Sequence, residues 1–233
     1  TWTGSKFDYT GIEAIAEALK FSTSMKKLII FKNHLGDEGI DIITSAVKGK
    51  EISLCGAEPG QTDLDLSNQG LRPADAKIIA WELSAGFVST SMTKLAIWGN
   101  NIGVEGATAI VDAAPAQMRT LCGDMFEENQ TEADLSGNNL GPEGAILVAW
   151  DLRAGFVSAS ITKLNVLSNS IGDEGYEILT KVAEEKGILT LVGFDKGQTE
   201  ADLSYKHLGP IDAKLIAREL TTGFVSTSMT SLK

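Results

Sequence analysis

Apolar residues recur along this chain in one fixed frame, with an asparagine held among them. Met92 to Ile102 reads MTKLAIWGNNI, apolar at Met92, Leu95, Ile97 and Ile102 with Asn100 between them, which is the pattern LxxLxLxxNxL. The same frame stands at Met25–Leu35 (MKKLIIFKNHL) and at Ile161–Ile171 (ITKLNVLSNSI). A looser version stands at Gln61–Leu71 (QTDLDLSNQGL), Gln130–Leu140 (QTEADLSGNNL) and Gln198–Leu208 (QTEADLSYKHL), and Met229–Lys233 begins one more copy. The equivalent positions Leu28, Leu64, Leu95, Ala133, Leu164, Ala201 and Leu232 are separated alternately by 36–38 and by 31 residues. Long and short units therefore alternate, and a fixed period of this kind predicts stacked units that bury their apolar faces against one another.

Each unit reads as a short strand, a turn and a helix. In LxL the two apolar residues point inward on a strand while the residues between them face the open side of the sheet. Helical spacing predicts helices at Gly11–Lys20, Gly39–Val47, Asp75–Ser84, Val104–Ala113, Pro142–Leu152, Asp173–Glu185 and Pro210–Leu220. Acidic residues at Asp37 and Glu38 and prolines at Pro73, Pro142 and Pro210 suit first turns. The long units carry an additional ISLCGAEPG, TLCGDMFEEN or LTLVGFDKG, read as a helix exit, a short extended piece and a surface loop. Whether that piece joins a sheet is left open by the sequence.

Composition narrows the classes. Of the 233 residues, 43% are hydrophobic and 6% aromatic, ordinary for a chain with a large core. No apolar run approaches the roughly 20 residues that span a bilayer, so direct membrane insertion is not expected. The formal net charge of −11 repels nucleic acid and favours a basic protein partner. Cys55 and Cys122 hold the same place in two copies where the third has Val192, so they read as small buried packing residues compatible with a reducing compartment, cytoplasmic or otherwise intracellular.

With seven copies in register, the frame resembles a leucine-rich repeat protein, and the full helices with IGDEG-type turns resemble the ribonuclease-inhibitor-like subclass. The likeness covers Gly11 to Lys233. It implies an α/β fold: a right-handed curved solenoid, or horseshoe, with a parallel sheet on the concave side and helices on the convex side. The domain expected is a single one over 1–233, with an irregular lead at 1–10, about six full repeats and a partial one at 229–233. The sequence departs from the pattern at Gln61, Gln130 and Gln198, which replace the first apolar residue. It departs again at Ala133 and Ala201, which replace a leucine, and at Gln69 and Lys206, which replace the asparagine. The asparagine ladder between turns is therefore expected to fail at the second and sixth copies, and the additional loops to compensate for the lost apolar contact.

Three columns describe the open face. Lys27, Asp63, Lys94, Glu132, Lys163 and Glu200 alternate in sign, as in a ladder of ion pairs between neighbouring strands. Two residues on, Ile29, Asp65, Ala96, Asp134, Asn165 and Asp202 place carboxylates on alternate strands, roughly 10 Å apart and too far for one metal ion or one acid pair. The third column, Phe31, Ser67, Trp98, Ser136, Leu167 and Ser204, sets large apolar groups on every second strand, either covered by neighbours or available as contact anchors. Phe31, Asp65, Trp98, Asp134, Leu167 and Asp202 are the candidate protein-binding residues. On the helices, Trp81 and Trp150 share a place with Arg218, which predicts partial exposure.

Catalytic and cofactor signatures are missing from the sequence. His34 and His207 are separated by five units, and there is no HExxH, CxxC, G-x-G-x-x-G or P-loop pattern. No enzyme activity, metal or cofactor is expected. The function predicted is protein binding or scaffolding through the concave face or loop edge. Two alternatives stand beside it: a structural subunit of a large assembly, and a regulator resembling the branch of the family that stimulates GTP hydrolysis. A chain that starts at Thr1 and stops inside a repeat is expected to be a piece of something larger or a subunit of a complex.

Overall fold

Each predicted helix forms, and its ends follow from local chemistry. The computed structural model describes residues 8–85, 90–154, 160–221, 225 and 227–233. Residues 1–7 of the irregular lead and most of the GFVS stretches lie outside the described residues. The elements in chain order are α1 (Tyr9–Phe21), α2 (Gly36–Val47), β1 (Asp63–Asp65), α3 (Pro73–Ser84), β2 (Lys94–Ala96) and α4 (Gly103–Ala113). They continue with β3 (Glu132–Asp134), α5 (Gly141–Ala154), β4 (Lys163–Asn165), α6 (Gly172–Lys186), β5 (Glu200–Ala201), α7 (Pro210–Thr221) and β6 (Ser231–Leu232). Asp8 caps α1 by accepting from the Gly11 N–H, and Gly187, at φ +70°, ends α6 in a left-handed turn.

The chain divides into two compact units, Thr1–Met118 and Arg119–Lys233. In the first, α1, α2, α3 and α4 pack in sequence order and β1 pairs in parallel with β2, Leu64 opposite Leu95. Its core joins Leu28, Ile30, Leu66, Leu95 and Ile97 from the strand segments to Ile12, Ile43, Ile78, Ile79 and Ile110 from the helices. In the second, α5, α6 and α7 pack in order, β3 pairs with β4 and β5 with β6, again in parallel. Leu135, Leu164, Val166 and Leu191 there meet Leu147, Val148, Leu152, Leu179, Val182 and Leu215. A fully buried leucine or isoleucine contributes about 1.5–3 kcal/mol, so these rows are the main stabilising force in each unit.

Asparagine secures the turns, one copy to the copy before it. Asn100 donates from Nδ2 to the carbonyls of Ile97 and Leu66, both at 2.8 Å, and its Oδ1 accepts from the amides of Gln69 and Leu71, both at 3.0 Å. Asn169 does the same across to Leu135 O and the Leu140 amide, and Asn33 donates to Ile30 O. Where the sequence lacks this asparagine, Gln69 and Lys206 stand in solvent. Asn138, which keeps the residue type, is exposed as well, so it is the short units that provide the ladder.

Within each unit an additional piece of a long unit lies beside a short-unit strand segment. Ser53 makes a parallel bridge with Lys27, and Thr190 makes one with Lys163. The pieces pair through one or two residues only, because buried carboxylates on the following long-unit helix take their backbone amides. Glu82 Oε2 accepts from Leu54 and Cys55 at 2.7 and 3.0 Å, Asp151 from Leu121 and Cys122 at 2.7 and 3.1 Å, and Glu219 from Leu191 at 3.1 Å. The first strand expected near Leu28 is accordingly a lone bridge, and a continuous sheet gives way to three two-stranded ones among the described residues.

Glutamine at the first frame position secures the loop beyond each piece. Gln61, Gln130 and Gln198 accept through Oε1 from the amides of Glu58, Glu127 and Asp195, while their own amides return to the carbonyls of the same residues. The lost apolar contact is thus exchanged for a closed four-residue turn. Ahead of it, Ala57, Phe126 or Phe194 is buried.

Asn100→Ala would leave two amides and two carbonyls short of a partner, and is expected to destabilise the first unit by about 2–4 kcal/mol. Gly99 lies at φ +68°, where an added Cβ would come 2.3 Å from Asn68 Oδ1, so Gly99→Ala is expected to cost a comparable amount. Urea denaturation of each variant against the parent measures both; midpoints unmoved by either change would refute the ladder as a source of stability.

Candidate protein-contact surface

On the open side of the strand pairs, the six predicted contact residues separate into two groups. Phe31 and Leu167 are only 2% and 1% exposed, so they belong to the core and are not available to a partner in this conformation. Their place in the column puts them at the strand end, where the chain bends over the filled interior. Trp98 is the exception among the large apolar members: it is partly exposed, at the end of β2.

Asp65, Asp134 and Asp202 are exposed, and each is also engaged locally. Asp65 Oδ1 accepts from the amide and hydroxyl of Ser67 at 2.8 and 2.6 Å, Asp202 from the same groups of Ser204 at 2.9 and 2.5 Å, and Asp134 from the Ser136 amide at 3.0 Å. These Asx turns end the strands. The serine donors favour the charged form and hold the carboxyls of Asp65 and Asp202 below their ordinary value. Each aspartate still presents a second carboxylate oxygen on an exposed residue.

Among the described residues the alternation of sign produces ion pairs within the first two strand pairs. Lys94 meets Asp63 at 3.3 Å and Lys163 meets Glu132 at 3.4 Å. Lys27 pairs with Glu58 and Lys163 also with Asp195, both carboxylates lying on the additional loops. The frame counted Lys27 and Asp63 as neighbours, whereas the inserted piece lies beside Lys27 instead. In the second unit Glu132, Ala133, Asp134, Lys163, Asn165 and Gly193 surround an open depression of about 330 Å³. All but Gly193, which belongs to the additional piece beside them, are residues of β3 and β4, so this is a recess on the sheet face.

On the helical side Trp81, Trp150 and Arg218 are all partly buried, in keeping with one position that accepts either type. The neighbouring column, Glu82, Asp151 and Glu219, went unrecognised in the sequence although its signal is plain afterwards: AWEL, AWDL and AREL each set one carboxylate at the same place, just before a leucine. All three are buried. Burial pushes the carboxyls of Glu82 and Glu219 up and that of Asp151 to about 6, against the opposing effect of the amides that donate to them. The free thiols of Cys55 and Cys122 sit beside Glu82 and Asp151; burial raises the first to about 12 and the second well above its ordinary value. His34 and His207 are exposed, and among the described residues no group of three or more His, Cys, Asp or Glu side chains could hold a metal ion. Nor is any described helix long and apolar enough to cross a membrane.

The family comparison agrees with this architecture. A model described as Leucine Rich repeat matches residues 21–41, 88–111, 133–149 and 157–177. The chain is a leucine-rich repeat protein of the ribonuclease-inhibitor-like type. It is similar to NACHT, LRR and PYD domains-containing protein 3 of Bos taurus, with 26% identity over 178 residues that make up 76% of this chain. Its likeness to the protein of the same name from Macaca mulatta is 25% over 179 residues, 75% of this chain. The matched region spans about 15% of the length of these curated relatives. Leucine-rich repeat domains are in general protein-interaction modules and typically non-catalytic.

Burial separates the candidates by what their removal should do to the fold. Leu167→Ala is expected to cost about 2–5 kcal/mol, as deletions in a filled core do. Asp134→Ala, on an exposed carboxylate with one amide donor, is expected to cost about 1 kcal/mol or less. Thermal denaturation of the two variants checks the ranking, and equal losses would contradict the assignment of Leu167 to the core.

Proposed function

We propose that this chain is a protein-binding module whose partner meets the strand face and the adjoining turn edge around Trp98, with Asp65, Asp134 and Asp202 as polar contacts. Trp98 carries the reading. It is a large aromatic left partly exposed at a strand end where Phe31 and Leu167 are covered, and tryptophan is the residue type most enriched among contacts that dominate binding energy. Asp65 lies on the strand paired with β2, opposite Ala96, so an aromatic anchor and a carboxylate occur on neighbouring strands. A net charge of −11 favours a basic partner.

The same reading takes 1–233 as one repeat domain with the curvature that its alternating thin strands and thick helices would produce. It also places the chain in a reducing compartment, which the free Cys55 and Cys122 suit. The recess at Glu132 and Asp134 and the exposed Asp202 extend the proposed contact over the second unit.

The test is affinity capture with the full chain, identification of the retained protein, and titration of that protein against variants. Trp98→Ala is expected to weaken binding by at least about tenfold, in line with an anchor worth 1.4 kcal/mol or more. Asp65→Asn is expected to act more weakly and to lose its effect at high salt. Affinity unchanged by Trp98→Ala would remove the strand face from the role.

A further inference from the structure

Thr120 has one hydroxyl hydrogen and two acceptors within reach of it. Its Oγ1 lies 2.6 Å from Asp151 Oδ2 and 3.3 Å from the carbonyl oxygen of Gly123, and it accepts from the Cys122 amide at 3.1 Å. While Asp151 is ionised, the hydrogen goes to the nearer, charged oxygen, and the Gly123 carbonyl goes without it. When Oδ2 carries a proton, the acid donates that proton to Thr120 Oγ1, and the hydroxyl hydrogen turns to Gly123. The Leu121 amide keeps its 2.7 Å bond to Oδ1 in both states, and the Cys122 amide, which lies 3.1 Å from both Asp151 Oδ2 and Thr120 Oγ1, keeps Thr120 Oγ1 as an acceptor when Oδ2 is protonated. One proton thus completes a chain from α5 through Thr120 into the turn at Gly123, where a short helical turn runs from Gly123 to Met125.

We propose that a proton on Asp151 fastens residues 120–126 to α5, so that this segment is held more tightly in mildly acidic solution than at neutral pH. The inference is independent of the binding reading. Asp151 is 1% exposed, and the groups that donate to it, from Thr120, Leu121 and Cys122, are uncharged. Its counterpart Glu219 differs in having the Arg218 guanidinium at 3.4 Å. The hydroxyl beside Glu82, that of Ser53, accepts from the Gly56 and Ala57 amides.

The charged groups around Asp151 are engaged elsewhere, exposed or neutral, and Asp124 within the segment is exposed. Cys122 contributes a thiol that stays protonated over this range. On α5 itself, Arg153 pairs with Glu185 of α6 at 2.9 Å, and Lys186 of α6 donates to the Arg153 carbonyl. The remaining charged side chains of α6, from Asp173 to Glu184, are exposed, and Arg119 at the head of the segment pairs with Glu128 at 3.7 Å. Burial raises the Asp151 carboxyl from 3.8 to about 6. A carboxyl raised in the folded state gives stability that is complete below its ordinary value and is lost as pH rises through about 6.

Amide exchange of the full chain, followed residue by residue by NMR at pH 7.5 and pH 5.0 and corrected for intrinsic rates, tests this. The Leu121 and Cys122 amides are expected to gain about tenfold in protection at pH 5.0 relative to the Leu71 and Leu140 amides, which donate to asparagine. In Asp151→Asn that relative gain is expected to vanish. No relative gain in the parent chain, or the same gain in Asp151→Asn, overturns the proposal. Should the variant fail to fold, the carboxyl carbon of Asp151 in the unaltered chain decides: a titration midpoint near 6 supports it, and one at or below the ordinary 3.8 overturns it.

Discussion

Backbone groups at the strand ends need partners, and side chains of neighbouring copies provide them. A strand of three residues satisfies few of its own amides and carbonyls, and an unpaired buried amide costs about 1–3 kcal/mol. Asn100 and Asn169 answer this at the turns, each bonding its own copy and the one before. Asp75 and Asp212 add a second tie: each accepts from the amide of the residue just ahead of its own helix, Arg72 or Gly209, and from the amide of Lys32 or Ser168 in the preceding short unit. The apolar rows supply most of the stabilising energy, and these polar ties fix which residue of one copy stands beside which residue of the next.

Most of the fold was legible from the sequence because periodicity is strong in the helices. Ile12 and Leu19 in α1, or Leu179 and Val182 in α6, repeat at helical spacing, and the observed ends lie within about three residues of the expected ones. The strands were harder to read. The LxL frame predicts alternation but says nothing about what lies beside it, so the pieces at Ser53 and Thr190 could not be placed next to Lys27 and Lys163 from pattern alone. Their docking depends on Glu82, Asp151 and Glu219, carboxylates on helices some 30 residues further along the chain. An acidic residue on a helix reads as solvated unless its three-fold recurrence just before a leucine is noticed.

The contact surface was legible only in part for a related reason. Alternation identifies the open side of a strand, and Asp65, Asp134 and Asp202 are indeed exposed. Phe31 and Leu167 occupy the same column as Trp98, yet they are buried at the strand end. Sequence cannot distinguish them, because exposure there depends on how far each chain bends after its last paired residue. Both kinds of tie, neutral amide and ionisable carboxylate, also serve the same architectural purpose with different dependence on solution conditions.

The closed turns at 58–61, 127–130 and 195–198 carry a practical consequence. Each is sealed by a backbone bond and by a glutamine side chain that returns it, so the conformation is set at its two ends. The central pairs, Pro59 with Gly60, Glu128 with Asn129 and Lys196 with Gly197, are exposed and differ freely among the three copies. Such tips are natural ports for grafting: an epitope tag or a fluorescent label spliced between the two central residues would be displayed to solvent while the underlying register stayed in place.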